Sequence, residues 1–255
     1  MNAKERIIEL FNSNVRGRTP DVSGRNQRHD GRYGHWLERQ FGITANGYNA
    51  PDLYGYELKN ETSSKITFGD WSADYYVYKN DIFSHIFSAN TAVAKRDIFL
   101  SIFGQNVTGR YSWSGSPCPC IHGYNRFGQI LIVAPDGNVI ALYNYNEDRR
   151  PNKSNIIPQD FKVENLILAE WRKESLKRKV EDKFNQNGWF TCKTDNTGAY
   201  YQICFGAPMS YENWLELVRR GIVIFDSGMH EGNPRPYSMW RANNNYWESL
   251  IVERY

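Results

Sequence analysis

The chain has 255 residues, and its 31 Lys and Arg against 28 Asp and Glu give a formal net charge of +3. This length can bury a large core, while so weak a charge excludes binding of nucleic acid through the net field alone. The first ten residues alternate charged and apolar side chains, and no apolar run approaches the roughly 20 residues that span a bilayer, so we expect a cytoplasmic protein without a signal peptide.

Two amphipathic helices are predicted before the first strand. Apolar spacing predicts one over residues 3–11 and another over residues 34–41, which Gly42 ends. Glu38 lies on the second helix. It is either a surface charge of that helix or a carboxylate brought to the rim of the next strand, where it would bind metal or water.

The segment that follows combines two acids with a lysine. Gly55 indicates a turn or bulge, after which residues 56–59 alternate as a strand that puts Glu57 and Lys59 on one face. Asp52 can lean toward the same point. Two carboxylates there suit a hard divalent ion such as Mg²⁺.

A metal site beside a lysine predicts hydrolysis of a phosphodiester. The ammonium can hold a phosphate oxygen, orient an attacking water or, with a lowered pKa, help to deprotonate it. The metal would lower the pKa of that water and neutralise charge on the phosphodiester. The alternative interpretation is a solvated strand edge, on which Glu57 and Lys59 are only surface charges.

The rest of the chain alternates predicted strands and helices. Strands are expected at residues 65–68, 98–103, 110–113, 165–169 and 222–225, a hairpin at 129–134 and 139–145, a strand pair at 190–193 and 200–205, and helices at 173–184 and 210–220. This order favours a mixed sheet with helices on its faces.

Basic residues cluster in two regions. The arginine-rich N-terminal region is the stronger candidate for phosphate contact, with Arg16, Arg18, Arg25, Arg28, Arg32 and Arg39. In the second region acidic residues intervene, so an ordinary solvated helix explains it as well as phosphate contact does; it contains Arg172, Lys173, Lys177, Arg178, Lys179 and Lys183.

Four cysteines in a chain of this length do not indicate a disulfide framework. Cys118, Cys120 and His122 could supply three soft ligands, but zinc sites use four and usually a wider spacing. We therefore favour reduced loop thiols over zinc. Cys192 and Cys204 fall in apolar strands and are expected to be packed.

Residues 34–42, Gly-His-Trp-Leu-Glu-Arg-Gln-Phe-Gly, followed by Asp52, Glu57 and Lys59, resemble the MvaI/BcnI family of type II restriction endonucleases. This family is related to the mismatch-repair nickase MutH and belongs to the PD-(D/E)xK superfamily. The order of the later elements matches too, so the resemblance covers most of the chain. It implies an α/β (α+β) restriction-endonuclease fold, a mixed sheet flanked by helices in a two-lobed monomer.

The resemblance also implies roles for single residues. Asp52 and Glu57 look like the metal-binding acids, Lys59 like the catalytic lysine, and Glu38 like the additional active-site acid. Residues 1–255 would form one unit. Its catalytic lobe would take in approximately residues 1–110 and 125–170, and its DNA-recognition lobe residues 171–255.

DNA recognition is expected from two segments. In the first, Asp70 and Trp71 follow a strand, although they could merely cap and pack its end. In the second, the family's base-reading segment corresponds here to His230 and Arg235, with Arg241 further on. Arginine can pair bidentately with guanine O6 and N7, and histidine can donate to either atom. The alternatives are loop residues satisfied by backbone or water and, for Arg241, a phosphate contact.

The sequence thus predicts a Mg²⁺-dependent type II restriction endonuclease that cuts double-stranded DNA at a short palindromic or pseudopalindromic site. A monomer that nicks one strand and then the other is expected, with a cognate DNA methyltransferase as its genetic partner. The alternatives are a MutH-like strand-specific nickase and a sequence-specific DNA-binding protein without catalysis.

Overall fold

The computed structural model describes residues 1–23, 31–44, 48–62 and 64–255. Arg25 and Arg28 of the arginine-rich region lie outside the described residues. The helices are α1 (Ala3–Asn14), α2 (Arg32–Gln40), α3 (Ala92–Phe103), α4 (Lys153–Ile156), α5 (Lys173–Phe184), α6 (Tyr211–Arg219) and α7 (Asn244–Ser249). The strands are β1 (Tyr56–Leu58), β2 (Lys65–Asp70), β3 (Tyr75–Tyr76), β4 (Gln105–Val107), β5 (Arg110–Ser112), β6 (Phe127–Val133), β7 (Val139–Asp148), β8 (Leu166–Trp171), β9 (Gly188–Thr194), β10 (Tyr200–Gly206), β11 (Ile224–Asp226), β12 (Met239–Asn243) and β13 (Ile251–Arg254).

The chain folds into two compact units. The first unit comprises Met1–Ile66, Arg178–Tyr211 and Asn243–Tyr255, and the second Thr67–Lys177 and Glu212–Ala242. The lobes expected from the sequence divide the chain at other residues, and their catalytic and recognition roles stay a prediction. No helix among the described residues is long and apolar enough to cross a membrane.

The first unit is built on a four-stranded sheet in the order β1, β9, β10, β13. β1 runs parallel to β9, so that Tyr56 pairs with Gly188 and Leu58 with Phe190. β9 and β10 form the predicted antiparallel pair, and β13 is antiparallel to β10. β1 therefore lies at the edge of the sheet and depends on β9 for its backbone pairing.

Helices α1 and α2 pack against this sheet. Trp36 of α2 stacks on Tyr200 with ring centroids 5.7 Å apart, and Phe41 meets Phe190 edge-on at 5.1 Å. Burial of these large apolar side chains fixes α2 to the sheet. The core contains Ile7, Phe11, Val15, Trp36, Leu37, Phe41, Tyr56, Leu58, Phe190, Cys192, Tyr200, Ile203 and Phe205.

The second unit holds an antiparallel sheet in the order β3, β8, β7, β6. The hairpin between β6 and β7 is confirmed, and its turn is closed by a 2.8 Å hydrogen bond from the Ala134 amide to the Asn138 carbonyl. Gly137 in that turn has a φ of 95°, which favours glycine. A separate three-stranded sheet has the order β11, β12, β2.

Aromatic rings and one buried amide fill the core of the second unit. The ring of Phe225 meets Trp171 at 4.8 Å and Trp113 at 5.5 Å. Gln129 is fully buried, accepts from Trp113 Nε1 at 2.6 Å and donates to the Phe103 carbonyl at 2.7 Å. Because both ends of its amide are satisfied, Gln129 can be buried among these rings without the cost of an unpaired polar group.

One predicted element is wrong. Residues 98–103, expected as a strand, form the second half of α3, which Thr91 caps by accepting from the Ala94 amide at 3.1 Å and which Gly104 ends. The helix is apolar on several sides, so its sequence lacks the amphipathic spacing that marks a helix. Its buried residues are Arg96, Phe99, Leu100, Ile102 and Phe103.

The other predicted strands and helices are confirmed with shifts of a few residues at their ends. The mixed α and β class is confirmed as well. Cys192 and Cys204 are buried as predicted, and all four cysteines are free.

Candidate active site

A tight turn leads into β1, which carries Glu57 and ends one residue before Lys59. Leu53 and Tyr56 exchange two backbone hydrogen bonds of 3.0 and 2.9 Å across it. Between them, Tyr54 and Gly55 have positive φ angles of 49° and 83°. The φ of Gly55 favours glycine, and a Cβ there would lie 2.6 Å from Asn187 Nδ2, so a larger residue would also displace the Asn187 side chain.

Glu57 and Lys59 bring opposite charges into a buried site. Glu57 is 3% exposed and Lys59 is 7% exposed. Lys59 Nζ donates to Glu57 Oε1 at 2.9 Å and lies 5.1 Å from the centroid of the Phe184 ring and 6.0 Å from that of Trp247. Desolvation by this burial lowers the pKa of Lys59, against the opposing effect of Glu57.

The side chain of Asp52 is joined to the backbone of β1. The Leu58 amide donates to Asp52 Oδ2 at 2.9 Å, which fixes the carboxylate beside Glu57 and Lys59. Burial, and then the negative charge of Glu57, raise the pKa of Asp52 to about 6, although the Leu58 amide and Lys59 act in the opposite direction. Two carboxylates close enough to repel each other are the arrangement that a divalent cation relieves.

A second lysine reaches this centre from α5. Lys183 Nζ lies 3.0 Å from Glu57 Oε1, the oxygen that also accepts from Lys59. The pattern of two acids and a lysine gave no reason to include Lys183, which appeared only as one member of a mixed basic run. Its contact with Glu57 depends on the pairing of distant segments, and spacing along the chain carries no signal for that.

The donor set fits Mg²⁺. Glu57 Oε2 is buried and has no hydrogen-bond partner among the described residues, so this oxygen is left for a ligand. Among the described residues no three His, Cys, Asp or Glu side chains come together as a metal cluster. Asp52 and Glu57 would thus be the two protein ligands, and Mg²⁺ characteristically uses one or two carboxylates and takes its other oxygens from water and phosphate.

Glu38 makes no direct contact with Asp52, Glu57 or Lys59 among the described residues. Its Oε2 lies 3.0 Å from His35 Nδ1, one turn earlier on α2, and within the described part of the chain its carboxylate has no other partner. The structure therefore does not join Glu38 to Asp52 or Glu57 directly. Its role as an additional active-site acid stays a prediction.

Two predicted recognition residues, Asp70 and Arg235, form an ion pair in the second unit. Arg235 Nη2 lies 2.7 Å from Asp70 Oδ2, and Asp70 Oδ1 accepts from the Ser238 amide at 2.7 Å. The Arg235 guanidinium also lies over the Tyr237 ring, 4.5 Å from its centroid. Its side chain remains 53% exposed, so Arg235 is oriented and still open to a ligand.

Trp71, also predicted to contact DNA, lies in the core. It is 3% exposed, and its ring meets Trp214 edge-on at 5.8 Å. Its carbonyl accepts from Trp171 Nε1 at 2.7 Å. In this structure Trp71 packs the end of β2 and does not face solvent.

Arg241 links all three strands of the sheet formed by β11, β12 and β2. It stands on β12, donates from Nε to Thr67 Oγ1 of β2 at 3.0 Å, and pairs through Nη1 with Asp226 Oδ2 of β11 at 3.2 Å. These two contacts give Arg241 a structural function in the free protein. Its predicted contact with DNA stays untested.

His230 belongs to an ordered loop. Its amide donates to Asn233 Oδ1 at 2.6 Å, its Nδ1 lies 2.8 Å from the Glu231 carbonyl, and its Nε2 lies 2.9 Å from Asn233 Nδ2. Both ring nitrogens therefore have protein partners. DNA could take one of these positions only by displacing the residue that now holds it.

The cysteine segment makes backbone contacts. Cys118 Sγ lies 3.3 Å from the Phe225 carbonyl and accepts from the Ser227 amide at 3.4 Å. Cys120 is exposed, with its Sγ 3.7 Å from the Gly123 carbonyl. These contacts suit the reduced thiols expected from the sequence.

Comparison with known proteins gives consistent matches over nearly the whole chain. A family model described as LlaMI restriction endonuclease matches residues 15–255. The type II restriction enzyme ScrFI of Lactococcus lactis subsp. cremoris is 53% identical over 264 residues, which cover 98% of this chain and 97% of that enzyme. The complex of restriction endonuclease MvaI with its cognate DNA substrate aligns with 99% of this chain and 95% of its own at a TM-score of 0.56 and 12% identity, a similarity of fold.

Proposed function

The chain belongs to the LlaMI family of restriction endonucleases, and from this membership we propose that it hydrolyses phosphodiester bonds in duplex DNA at a short, specific, palindromic or pseudopalindromic site. The observation that carries the proposal is the meeting of Asp52, Glu57 and Lys59 at the edge of one sheet, with Glu57 Oε2 buried and without a hydrogen-bond partner among the described residues. A surface strand edge would leave these charges solvated, whereas here Glu57 and Lys59 are buried and Asp52 is half-buried.

We propose Asp52 and Glu57 as the residues that hold Mg²⁺. The two carboxylates contribute two negative charges and an unsatisfied oxygen, which match a hard divalent ion. When bound there, Mg²⁺ would lower the pKa of an attacking water and offset charge on the phosphodiester.

Lys59 acts from within the site. Because burial lowers the pKa of its ammonium, Lys59 gives up a proton more readily than an exposed lysine does. In its neutral form it can accept a proton from the attacking water, and in its charged form it can hold a phosphate oxygen. Glu57 keeps the Lys59 nitrogen in place through their 2.9 Å contact.

Arg235 is our first candidate for base recognition. It is exposed, oriented by Asp70 and stacked on Tyr237, which suits bidentate pairing with guanine. We propose that His230 contacts bases. Arg241 is proposed as a further contact, either to bases or to phosphate. Trp71, being buried, would act on DNA only through the position of its neighbours.

We further propose that the enzyme works in the manner of the MvaI/BcnI group, as a monomer that nicks one strand and then the other. The order of Glu38, Asp52, Glu57 and Lys59 supports this closer relationship. A time course on supercoiled plasmid should show open circles first and linear DNA later. A reaction that stops at open circles would favour the strand-specific nickase instead.

The site assignment is tested by plasmid cleavage in Mg²⁺ with the wild type, Asp52→Ala and Lys59→Ala. We expect the wild type to cut and both variants to lose cleavage, while each still binds DNA. Cutting by the two variants at a rate comparable to the wild type would show that the chemistry lies elsewhere.

Loss of cutting by the wild type after methylation at the recognition site would support a cognate methyltransferase as genetic partner.

A further inference from the structure

Glu57 contacts two lysines, whereas phosphodiester hydrolysis by two acids and a lysine requires only one. The additional cation is Lys183. Lys59 Nζ at 2.9 Å and Lys183 Nζ at 3.0 Å share a single oxygen, Glu57 Oε1. The other oxygen, Oε2, is buried, and no described residue hydrogen-bonds to it. Two ammonium groups thus contact one oxygen of the carboxylate, and the second oxygen remains available to a ligand.

The two lysines differ in their surroundings. The Lys59 side chain is 8% exposed and is enclosed by the rings of Phe184 and Trp247. The Lys183 side chain is 19% exposed and stands in the last turn of α5, at its carboxyl end. A lysine there is favoured by the helix dipole and can be withdrawn toward solvent more readily than Lys59.

We propose that Lys183 is a positioning residue for Glu57, which neutralises and orients this metal ligand in the metal-free protein and competes with Mg²⁺ for it. The inference rests on the proposed function, because it takes Glu57 as a ligand. A buried carboxylate without a cation is costly, so an internal ammonium stabilises Glu57 in the metal-free protein. Holding Oε1 also directs Oε2 to the position from which it can bind the ion.

The competition has a definite sign. Each positive charge beside Glu57 repels an incoming divalent cation, so removing the Lys183 charge should strengthen Mg²⁺ binding while weakening the metal-free fold. A residue with only a packing role would lower stability and leave Mg²⁺ affinity unchanged. Stronger Mg²⁺ binding together with lower stability of the metal-free protein would therefore identify Lys183 as a positioning residue for Glu57.

The first experiment is calorimetric titration of the DNA-free protein with Mg²⁺. Lys183→Gln should bind Mg²⁺ about tenfold more tightly than the wild type, and Lys183→Arg, which keeps the charge, should stay near the wild type. Lys177→Gln is the matched control, because it removes the same charge from an exposed position of the same helix. Unchanged or weaker binding by Lys183→Gln would overturn the proposed competition.

The second experiment needs no metal. In EDTA, Lys183→Gln should lower the melting temperature by about 3 °C, whereas in a Glu57→Gln background the same substitution should cost much less. Equal losses in the two backgrounds would show that Lys183 does not stabilise Glu57 and would overturn the proposal. Since wild-type cleavage in Mg²⁺ is measured separately, a failure here is distinguishable from a failure of the proposed function.

Discussion

Asp52 and Glu57 place two acids in a site that excludes most water. Burial and the charge of Glu57 raise the pKa of Asp52 to about 6, so its charged form is unfavourable in the folded protein. The protein therefore keeps a destabilised carboxylate, that of Asp52, in its candidate active site. Such a cost is expected where side chains are arranged for a ligand rather than for stability.

Replacing Asp52 by asparagine should stabilise the metal-free protein at neutral pH. Its folded pKa of about 6 exceeds the ordinary value of 3.8, so the folded state binds the proton more tightly than the unfolded chain does. The stability that this group contributes is full below the lower value and is lost as pH rises through the higher one. Asparagine avoids that loss, so Asp52→Asn should gain about 2 kcal/mol at about pH 8 and little at about pH 4.

Urea unfolding in EDTA over that pH range measures the difference. A stability gain that does not change with pH would mean that something other than the Asp52 charge is responsible.

Lys59→Met should separate stability from function. Methionine fills the space beside Phe184 and Trp247, and Lys183 still pairs with Glu57, so the variant should melt within a few degrees of the wild type. Cleavage should fall by about 1,000-fold or more, because methionine cannot exchange a proton with water and Lys183 remains paired with Glu57. Melting curves together with plasmid cleavage test this, and a folded variant that still cuts would remove Lys59 from the chemistry.

At the scale of elements, two arginines in the second unit have different tasks. Arg235 lies in the segment before β12, paired with Asp70 and largely exposed. Arg241 lies within β12 and bonds to Thr67 and Asp226 on the neighbouring strands. Loss of Arg241 breaks contacts inside a sheet, whereas loss of Arg235 frees an exposed loop.

The variants Arg235→Ala and Arg241→Ala should therefore behave differently. We expect Arg241→Ala to lower the free energy of unfolding by about 1 kcal/mol. Arg235→Ala should leave stability near the wild-type value and weaken cognate binding by roughly tenfold to 100-fold, with little effect on non-cognate DNA. Urea unfolding and fluorescence anisotropy with both DNAs measure this. Equal losses on cognate and non-cognate DNA would make Arg235 a phosphate contact.

The elements that the sequence predicts well are those with a clear local signal. The hairpin of β6 and β7 has alternation and a Pro-Asp-Gly-Asn turn, and α5 has polar and apolar faces. α3 was missed because it is apolar on several sides, so residues 98–103 alone do not distinguish a buried helix from a strand. Its Thr91 cap and Gly104 end were the local signals that could have decided the matter.

In the candidate site, too, the sequence predicts the contacts with a local signal and misses those made by tertiary folding. Asp52, Glu57 and Lys59 lie within eight consecutive residues, so strand alternation and a turn were enough to group them. The Lys183 contact and the Asp70 pair with Arg235 join segments more than 100 residues apart, and only tertiary folding creates them. Burial of Trp71 likewise follows from packing, which the sequence around a strand end does not specify.

For the molecule as a whole, charge is almost balanced at +3, and several surface cations are paired with acids. Lys193, for example, contacts both Glu61 and Glu248. Attraction of DNA must then come from the limited set of cations that phosphates can reach. Such binding is driven by release of counterions and weakens steeply with salt.

We expect the affinity for a duplex containing the recognition site to fall by roughly 100-fold between about 50 and 200 mM salt in the absence of Mg²⁺. Anisotropy titrations over this range give the slope, with a non-cognate duplex as control. An affinity that stays flat with salt would contradict a phosphate-based contribution to binding.

The parallel pairing of β1 with β9 also sets when the candidate site can assemble during synthesis of the chain. Glu57 and Lys59 leave the ribosome early, but their strand has no backbone partner until Gly188–Phe190 have been made, and Lys183 emerges just before them. The ring of Trp247 beside Lys59 comes later still. A nascent chain that already carries Asp52, Glu57 and Lys59 therefore lacks the strand pairing and the ring contact of the folded candidate site, and we expect it to gain activity only after β9 and α7 have been made.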